Sequence, residues 1–418
     1  MNQDKKKVET KTLSYHYIIA GGGIIGMTIA RELLRREPKA GIAILEKESD
    51  VAQHSSGRNS GVLHAGFYYS ADSLKARFTR DGNQAMRAYC TEHGLKLNDC
   101  GKIVVASSEE EIAGLEELKR RGDLNGVELT WMSEEEVSAI DPNVKTCHKA
   151  LYSPTTATVD PVEVCQCMKR ELQQKGVTFY FDTTYLRCVK RDDQSMQIRT
   201  SKGEYRCSYF INAAGLYADQ IAHEFGFGGA YTILPFKGIY LEYAKNKSDV
   251  RTNIYPVPDL ENPFLGVHFT KTVDGTVKIG PTAIPAFWRE NYKGLQRFKW
   301  RELLQISFYI SKLMLTNAFH FRRLAFEEMR KYHKPTFVAL SRIMVHDLDV
   351  KGFGSFLQPG IRAQLLHKKS LSLVQDFVIE GDAHSMHVLN AVSPAFTCSL
   401  SFAAYVVDHI DQYCAGSS

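Results

Sequence analysis

Apolar and polar positions alternate along this chain in two distinct ways, and the change of period divides it. The first apolar run, YIIA at 17–20, passes straight into GGGIIG and then into a stretch of helical character that ends at Leu33 and Leu34. A second apolar run, GIAILEKES at 41–49, follows. Strand, glycine turn, helix and strand in that order form a βαβ unit with parallel strands. HSSGRNSGVLHAGFYYS at 54–70 is too rich in glycine and serine for a regular element, and loops of this kind beyond a parallel sheet commonly carry function. Helical patterns resume at 73–92, with Leu74, Ala76, Phe78, Ala85 and Met86 as apolar or small positions, and again at 108–121. A short helix is expected at 133–140, where Ser133 and Glu136 have the spacing of a capping box. From 177 the period is that of strands: VTFYF, LRCVKR, MQIRTSKG with SKG as a hairpin turn, and EYRCSYFINAAG. This last strand runs into GLYADQIA, a second strand–glycine–helix junction at Gly215 that faces a nucleotide or is an ordinary turn. Strand-like alternation returns at 232–285 around turns such as Asp274-Gly275.

The segment 300–334 is apolar over much of its surface through Trp300, Leu304, Ile306, Phe308 and Leu313, and is interrupted by Arg301, Glu302 and Lys312. It is too short to span a membrane comfortably. Packing inside the protein is the favoured reading, and a position on a membrane surface is the other. A last helix opens after Pro394, near Ala395, with Tyr405 and Val406 on its buried face.

The glycines of the first junction carry chemistry. Gly21, Gly23 and Gly26 have GxGxxG spacing: Gly21 makes the sharp turn, Gly23 lets a pyrophosphate approach bare backbone, and Gly26 lets the helix pack closely on the sheet. The helix N-terminus offers free N–H groups and partial positive charge to phosphates. Glu46, at the end of the second strand and about 20 residues beyond Gly26, is placed to accept hydrogen bonds from a ribose diol. The chain is therefore expected to bind an adenine dinucleotide.

Composition narrows the class. At 418 residues the chain has room for two domains, and 44% hydrophobic with 24% charged residues is ordinary for a soluble globular protein. The net charge of +5 suits an acidic substrate or a weak attraction to anionic lipid. Nucleic acid is not expected as a partner, because no basic block interleaved with aromatics occurs. The nine cysteines are scattered; Cys165 and Cys167 miss CxxC spacing, so neither metal nor redox pairing is expected, and reduced thiols point to the cytoplasm. Residues 1–13 are polar and charged and are expected to form a flexible tail.

Several blocks together carry a resemblance: GGGIIG, SSGRNSGVLHAGFYY, NAAGLYAD, NIYPVPDLENPFLGVHFT, PGIRAQLL and HVLNAVSPAFTCSL, in that order over nearly the whole chain. They resemble the L-2-hydroxyglutarate dehydrogenase (or oxidase) family of the D-amino-acid oxidase superfamily, and the long block at 253–270 is the specific one. The chain departs from the family pattern at His367-Lys368-Lys369-Ser370, at Leu389 and at Val392. The resemblance implies an α/β fold: a Rossmann-like FAD-binding domain with a β-rich mixed-sheet substrate domain. We expect the former to comprise 14–83, 150–231 and 345–418, and the latter 84–149 and 232–344. It also implies FAD-dependent oxidation of L-2-hydroxyglutarate to 2-oxoglutarate, with electrons passing to a quinone or another acceptor. Contact with the inner face of the membrane is then an open expectation. Cofactor contacts are expected from Gly21, Gly23, Gly26, Glu46 and Lys47; from Ser56, Arg58, Asn59, Ser60 and Gly61 in the glycine–serine loop; and from Gly215, Gly360, Asn390 and Ser393. The N-terminus of the last helix is expected at the flavin's pyrimidine side, where it would stabilise negative charge on the reduced ring.

Oxidising a 2-hydroxy acid needs a base for the hydroxyl proton and a clamp for the carboxylates. His268, on a substrate-domain strand, and His64, in the loop that the resemblance places beside the flavin, are the candidate bases, His268 first. Either could instead be a structural histidine. Arg362 lies in PGIRAQ, which resembles the element that holds the substrate carboxylate in the superfamily, and a guanidinium binds carboxylate bidentately. The distal carboxylate needs a second cation; Lys237 is the candidate, with Tyr240, Tyr255 and Arg58 behind it. Other readings are an amine or amino-acid oxidase of the same superfamily, a non-catalytic flavoprotein and an NAD dehydrogenase.

Overall fold

The structure is a computed structural model that describes residues 13–192, 195–258 and 266–416. Its first sheet is built on the strand Leu13–Ala20, which runs parallel to Ile42–Leu45 on one side and to Gly203–Asn212 on the other. Thr178–Tyr180 extends the sheet beyond Ile42–Leu45 in the same direction. Ser385–Asn390 joins Gly203–Asn212 in parallel, bringing the last part of the chain back to the first. Ile18, Ile19, Ile42, Ala43 and Ile44 are buried on both faces, which explains why these strands read as continuous apolar runs. Helices Ile24–Arg36, Leu74–Glu92, Pro161–Gln174 and Ala395–Ala415 pack on one face through Met27, Phe78, Met168 and Phe402. Cys165 and Cys167 belong to this core, and none of the nine cysteines is paired with another. The expected capping box is present: Glu136 N–H donates to Ser133 Oγ at 3.2 Å, and Ser133 N–H donates to the Glu136 carboxylate at 2.7 Å.

The second large sheet runs, edge to edge, Phe353–Phe356, Leu241–Tyr243, Val277–Gly280, His268–Lys271, Asn253–Pro256, Lys102–Val105, Lys149–Ser153 and Thr130–Ser133. All neighbours are antiparallel except Asn253–Pro256 and Lys102–Val105, which are parallel. One face is apolar, with Ile103, Val105, Ile254, Phe269 and Ile279 in a closed core. Alternation then sends Lys102, Val104, Tyr255 and His268 to the other face. A three-stranded sheet joins the two units: Tyr231–Gly238 lies between Gly360–His367 and Ile284–Pro285.

Four expectations differ from this architecture. The boundary at 83/84 falls inside the single helix Leu74–Glu92. Residues 150–153 and Phe353–Phe356, expected in the cofactor domain, belong to strands of the second sheet. Leu13 begins the first strand rather than ending a tail, and the rest of the tail lies outside the described residues. The favoured packing of 300–334 holds for one face only. In helices Trp300–Thr316 and Phe321–Arg330, Ile306, Leu313, Phe321 and Leu324 are buried, whereas Trp300, Leu304, Phe308 and Leu315 form an exposed stripe. Of 253–270, the middle part 259–265 lies outside the described residues.

One buried ion pair ties the stretch before these helices to the first unit. Arg289 and Asp219 are both fully buried, and the guanidinium donates to the two carboxylate oxygens at 2.7 and 2.9 Å. Ile233 N–H donates to the same carboxylate at 2.9 Å. Burial, the largest single influence, opposes ionisation of Asp219, but the Arg289 charge and the hydrogen bonds from Arg289 and Ile233 together outweigh it, so the carboxyl titrates below its ordinary value. Arg289→Met would leave that carboxylate buried without a counter-ion. We expect a loss of about 3–5 kcal/mol, read as a lowered urea midpoint; an unchanged midpoint would show that the pair does not hold the two units together.

Candidate active site

A single cavity of about 710 Å³ runs from the first junction to the polar face of the second sheet. At its nucleotide end the backbone is packed too closely for side chains. Gly21 has φ +113°, and a Cβ there would stand 2.4 Å from the carbonyl oxygen of Ala213. The two strand–glycine–helix junctions are therefore back to back, joined where Ala213 N–H donates to Ala20 O at 2.9 Å. A Cβ on Gly26 would lie 2.1 Å from Gly21 O, so Gly26 serves helix packing and does not line the cavity. Helix Ile24–Arg36 has Gly23 as its cap, without a side-chain cap and without an acidic residue in its first turn. A helix start of this kind suits an anion. Ser56 Oγ stands over it, accepting from Ile24 N–H at 2.9 Å. Glu46 accepts from the N–H groups of Gly22 (2.9 Å) and Glu48 (3.0 Å), which hold its carboxylate at the cavity wall with lone pairs to spare. Burial nonetheless raises its pKa.

Of the other expected cofactor residues, Lys47, Arg58, Asn59, Ser60, Gly215 and Gly360 line the cavity, as do Gly21, Gly23, Ser56 and Ser393. Gly360 is glycine because a Cβ would meet Arg58 O at 2.3 Å. Gly61 and Asn390 do not line it. Gly61 has φ +76° and faces Val159 O, while the Asn390 amide donates to the carbonyls of Val374 (3.2 Å) and Asp376 (2.6 Å). Both are structural here. The last helix presents its first turn, from Pro394 to Thr397, to the cavity, held there by close packing of Gly82 against Thr397.

At the far end the cavity is lined by His64, Tyr240, Tyr255, His268 and Arg362. His268 and Tyr255 oppose each other across neighbouring strands and stack at 3.7 Å between ring centroids, 17° from parallel. His268 Nδ1 is 2.9 Å from Gly266 O. A carbonyl only accepts, so Nδ1 carries the proton and Nε2 keeps its lone pair. Burial pulls the His268 pKa down to about 3, with the Gly266 carbonyl opposing and Lys102 adding to the fall. Burial also takes His64 well below its ordinary value, followed by Lys102 and His268. Both imidazoles are neutral at neutral pH and able to act as bases.

Arg362 pairs with Phe236 across the three-stranded sheet, so the two share the cavity face. Lys237 is one residue on and stands on the opposite face. Its ammonium donates to Asn291 Oδ1 at 3.4 Å, and it does not line the cavity. Arg58 does, with its guanidinium 4.3 Å from the Tyr292 ring centroid. The residues that sequence reasoning passed over are Lys102, Glu290 and Lys299. Lys102 was legible as a lone charge at an inward position of an apolar strand, GKIVVA. The other two lie in a loop without a periodic signal.

Glu48, His54 and Glu290 have metal-ligand spacing, within 4.8 Å of one another. Lys47 bridges both carboxylates at 2.6 and 2.8 Å, and Arg297 engages both as well, so their charge is already neutralised by side chains.

Comparison with known proteins agrees with this geometry. Residues 16–318 match the family of FAD dependent oxidoreductases (DAO). The L-2-hydroxyglutarate dehydrogenase of Escherichia coli is 35% identical over 411 residues, covering 97% of this chain and 95% of the relative. The mitochondrial L-2-hydroxyglutarate dehydrogenase of Homo sapiens is 34% identical, covering 96% and 89%. Among solved structures, the dithionite-reduced L-alpha-glycerophosphate oxidase of Mycoplasma pneumoniae with FAD bound superposes with a TM-score of 0.74 at 22% identity, covering 95% of each chain. The chain thus belongs to the FAD dependent oxidoreductases and, within them, to the L-2-hydroxyglutarate dehydrogenases.

Proposed function

We propose that this protein oxidises L-2-hydroxyglutarate to 2-oxoglutarate. The observation that carries the reading is one cavity that joins a nucleotide cradle to an imidazole with a free Nε2 and to the Arg362 guanidinium. FAD, the family's cofactor, suits the cradle: bare backbone at Gly21 and Gly23, a helix start with no acidic residue in its first turn, and the Glu46 carboxylate. When bound it supplies a two-electron acceptor for the hydride from the substrate α-carbon. The chain's own residues do the rest. Arg362 holds the α-carboxylate and so fixes which face of the α-carbon is presented. His268 takes the hydroxyl proton at Nε2 as the carbonyl forms, with Tyr255 holding its ring by stacking. His64 lines the same wall and is the second candidate. For the distal carboxylate Arg58 replaces Lys237, because it lines the cavity.

For the electron acceptor we propose a quinone met at a membrane surface. No helix among the described residues is long and apolar enough to cross a membrane. The exposed stripe fits a surface contact instead: Trp300 is 63% exposed, Leu304 57%, Phe308 54% and Leu315 78%. Residues 299–334 carry eight lysines and arginines against three glutamates, a net +5 equal to that of the whole chain. Two of those glutamates, Glu302 and Glu328, are buried. An apolar stripe rimmed by cations is the pattern of a helix lying in an anionic interface.

Four measurements test these readings. The purified protein should be yellow, and L-2-hydroxyglutarate should bleach it anaerobically while the D-enantiomer and amino acids do not. Arg362→Ala should lower kcat/KM by a factor of roughly 10² to 10⁴ with flavin retained, the loss of a charged bidentate contact; near-normal kinetics would remove the carboxylate role. A Cβ at Gly23 would stand 3.0 Å from Ser56 Oγ and in the phosphate path, so Gly23→Val should give folded, colourless protein. Retained flavin colour would refute that cradle. Finally, the protein should sediment with phosphatidylglycerol vesicles at low salt, and less so as salt screens the charges. Leu304→Ser with Phe308→Ser should abolish sedimentation without loss of flavin; equal sedimentation of the variant would dismiss the stripe as the contact.

A further inference from the structure

Lys102 is a charged residue where the fold has no evident use for one. It opens the strand Lys102–Val105 and is fully buried, and its ammonium has no hydrogen-bond partner among the described residues. Three aromatic rings enclose it, with Nζ 4.2 Å from the centroid of Tyr255, 5.0 Å from Tyr68 and 5.4 Å from Phe67. Ring faces attract a cation but supply no counter-charge. A methionine would pack in the same space without the cost of desolvating a charge. Places where a chain breaks such a rule are where function is found.

The sheet register supplies the use. Tyr255 pairs with Val104, so Lys102, Val104 and Tyr255 point to one side, and Tyr255 stacks on His268. The ammonium and the His268 ring are thus within about 8 Å of each other, the sum of their separations from the Tyr255 centroid, with the Tyr255 ring between them. The groups that face His268 are the Tyr255 ring, His64, the Gly266 carbonyl and three lysines: Lys102, Lys278 and Lys331. Two of these cations are otherwise engaged. Lys331 is paired with Glu328, and Lys278 lies over Tyr240 and feels Asp274 and Asp160. Among the described residues Lys102 has no ion-pair partner, and its charge bears on both imidazoles of the site.

We propose that Lys102 is a positioning residue for proton transfer: enclosed behind the Tyr255–His268 stack, its charge adds to burial in keeping the His268 imidazole in the unprotonated form that accepts the substrate's hydroxyl proton. The proposal rests on His268 as the base. Lys102 neither gains nor loses a proton in the step; the proton passes from the hydroxyl to Nε2. The sign is consistent. Burial lowers the Lys102 pKa to about 7, so it is charged on the acid side, where an imidazole would otherwise fill with protons, and neutral on the alkaline side, where no help is needed.

The test compares the holoenzyme with its Lys102→Met, Lys102→Gln and His268→Gln variants in anaerobic flavin reduction by L-2-hydroxyglutarate across pH. The titration of carbon-labelled histidine is followed by NMR on the same proteins. Both neutral Lys102 variants should keep their flavin and their alkaline rate. Their acid limb of kcat/KM, and the His268 resonance with it, should move up by about one pH unit, the size expected for removing one nearby like charge. A purely structural lysine would change rate or stability without moving the limb. An unmoved His268 titration in both neutral variants overturns the proposal even if His268→Gln abolishes reduction, which would leave the base reading intact. Normal reduction in His268→Gln would instead remove the base reading and this proposal with it.

Discussion

Backbone lies against backbone at the first junction, with no room between for a single methyl group. The carbonyl of Ala213 occupies the place a Cβ on Gly21 would take, and the carbonyl of Gly21 does the same to Gly26. These contacts set how close the helix Ile24–Arg36 stands to the sheet and align its N-terminus with the second junction at Gly215. Everything downstream inherits that alignment. The cavity that starts at bare main chain there is the one that ends at Arg362 and His268. Close approach is also why the site needs few charged side chains at its nucleotide end, since N–H groups already point where phosphates would lie.

At the other end, position depends on strand parity rather than on close contact. The second sheet seals one face as an apolar core, so each alternate residue is sent to the cavity side whatever its chemistry. Tyr255 and His268 meet there because Ile254 and Phe269 are paired in the core beneath. The same rule separates Arg362 from Lys237: Phe236, not Lys237, is the cross-strand partner of Arg362. A lysine one residue out of step cannot serve the site, however near it lies in sequence.

Much of the nucleotide half was legible in the sequence, because its signals are local: a glycine spacing, a strand before it, a carboxylate at a fixed distance after it. Gly21, Gly23 and Glu46, singled out by that spacing, line the cavity, as does Ser56, which the resemblance singled out. Gly61 and Asn390 did not follow, since they belong to neighbouring stretches and serve turns and carbonyls instead. Domain membership was harder to read. Lys149–Ser153 and Phe353–Phe356 enter the second sheet through pairings that no window of sequence contains. Helical periodicity in 300–334 was visible, yet periodicity alone does not say how much of an apolar surface finds a partner. Ile306 and Leu313 find one, and Leu304 and Phe308 do not.

The buried cations and the neutral imidazoles have a common origin. A five-carbon diacid brings two negative charges, and a wall that receives it gains from cations held by burial and aromatic rings more than from cations already spent on carboxylates. Arg362 at the cavity, and Lys102 and Lys278 away from its lining, are buried, and burial lowers the pKa of each. Positive charge without water also raises the cost of protonating His64 and His268. One arrangement thus suits a dianionic substrate and keeps both imidazoles free of protons. A monoanionic amino acid would leave part of that positive charge uncompensated in the closed site, a physical reason for this wall to discriminate in favour of a dicarboxylate.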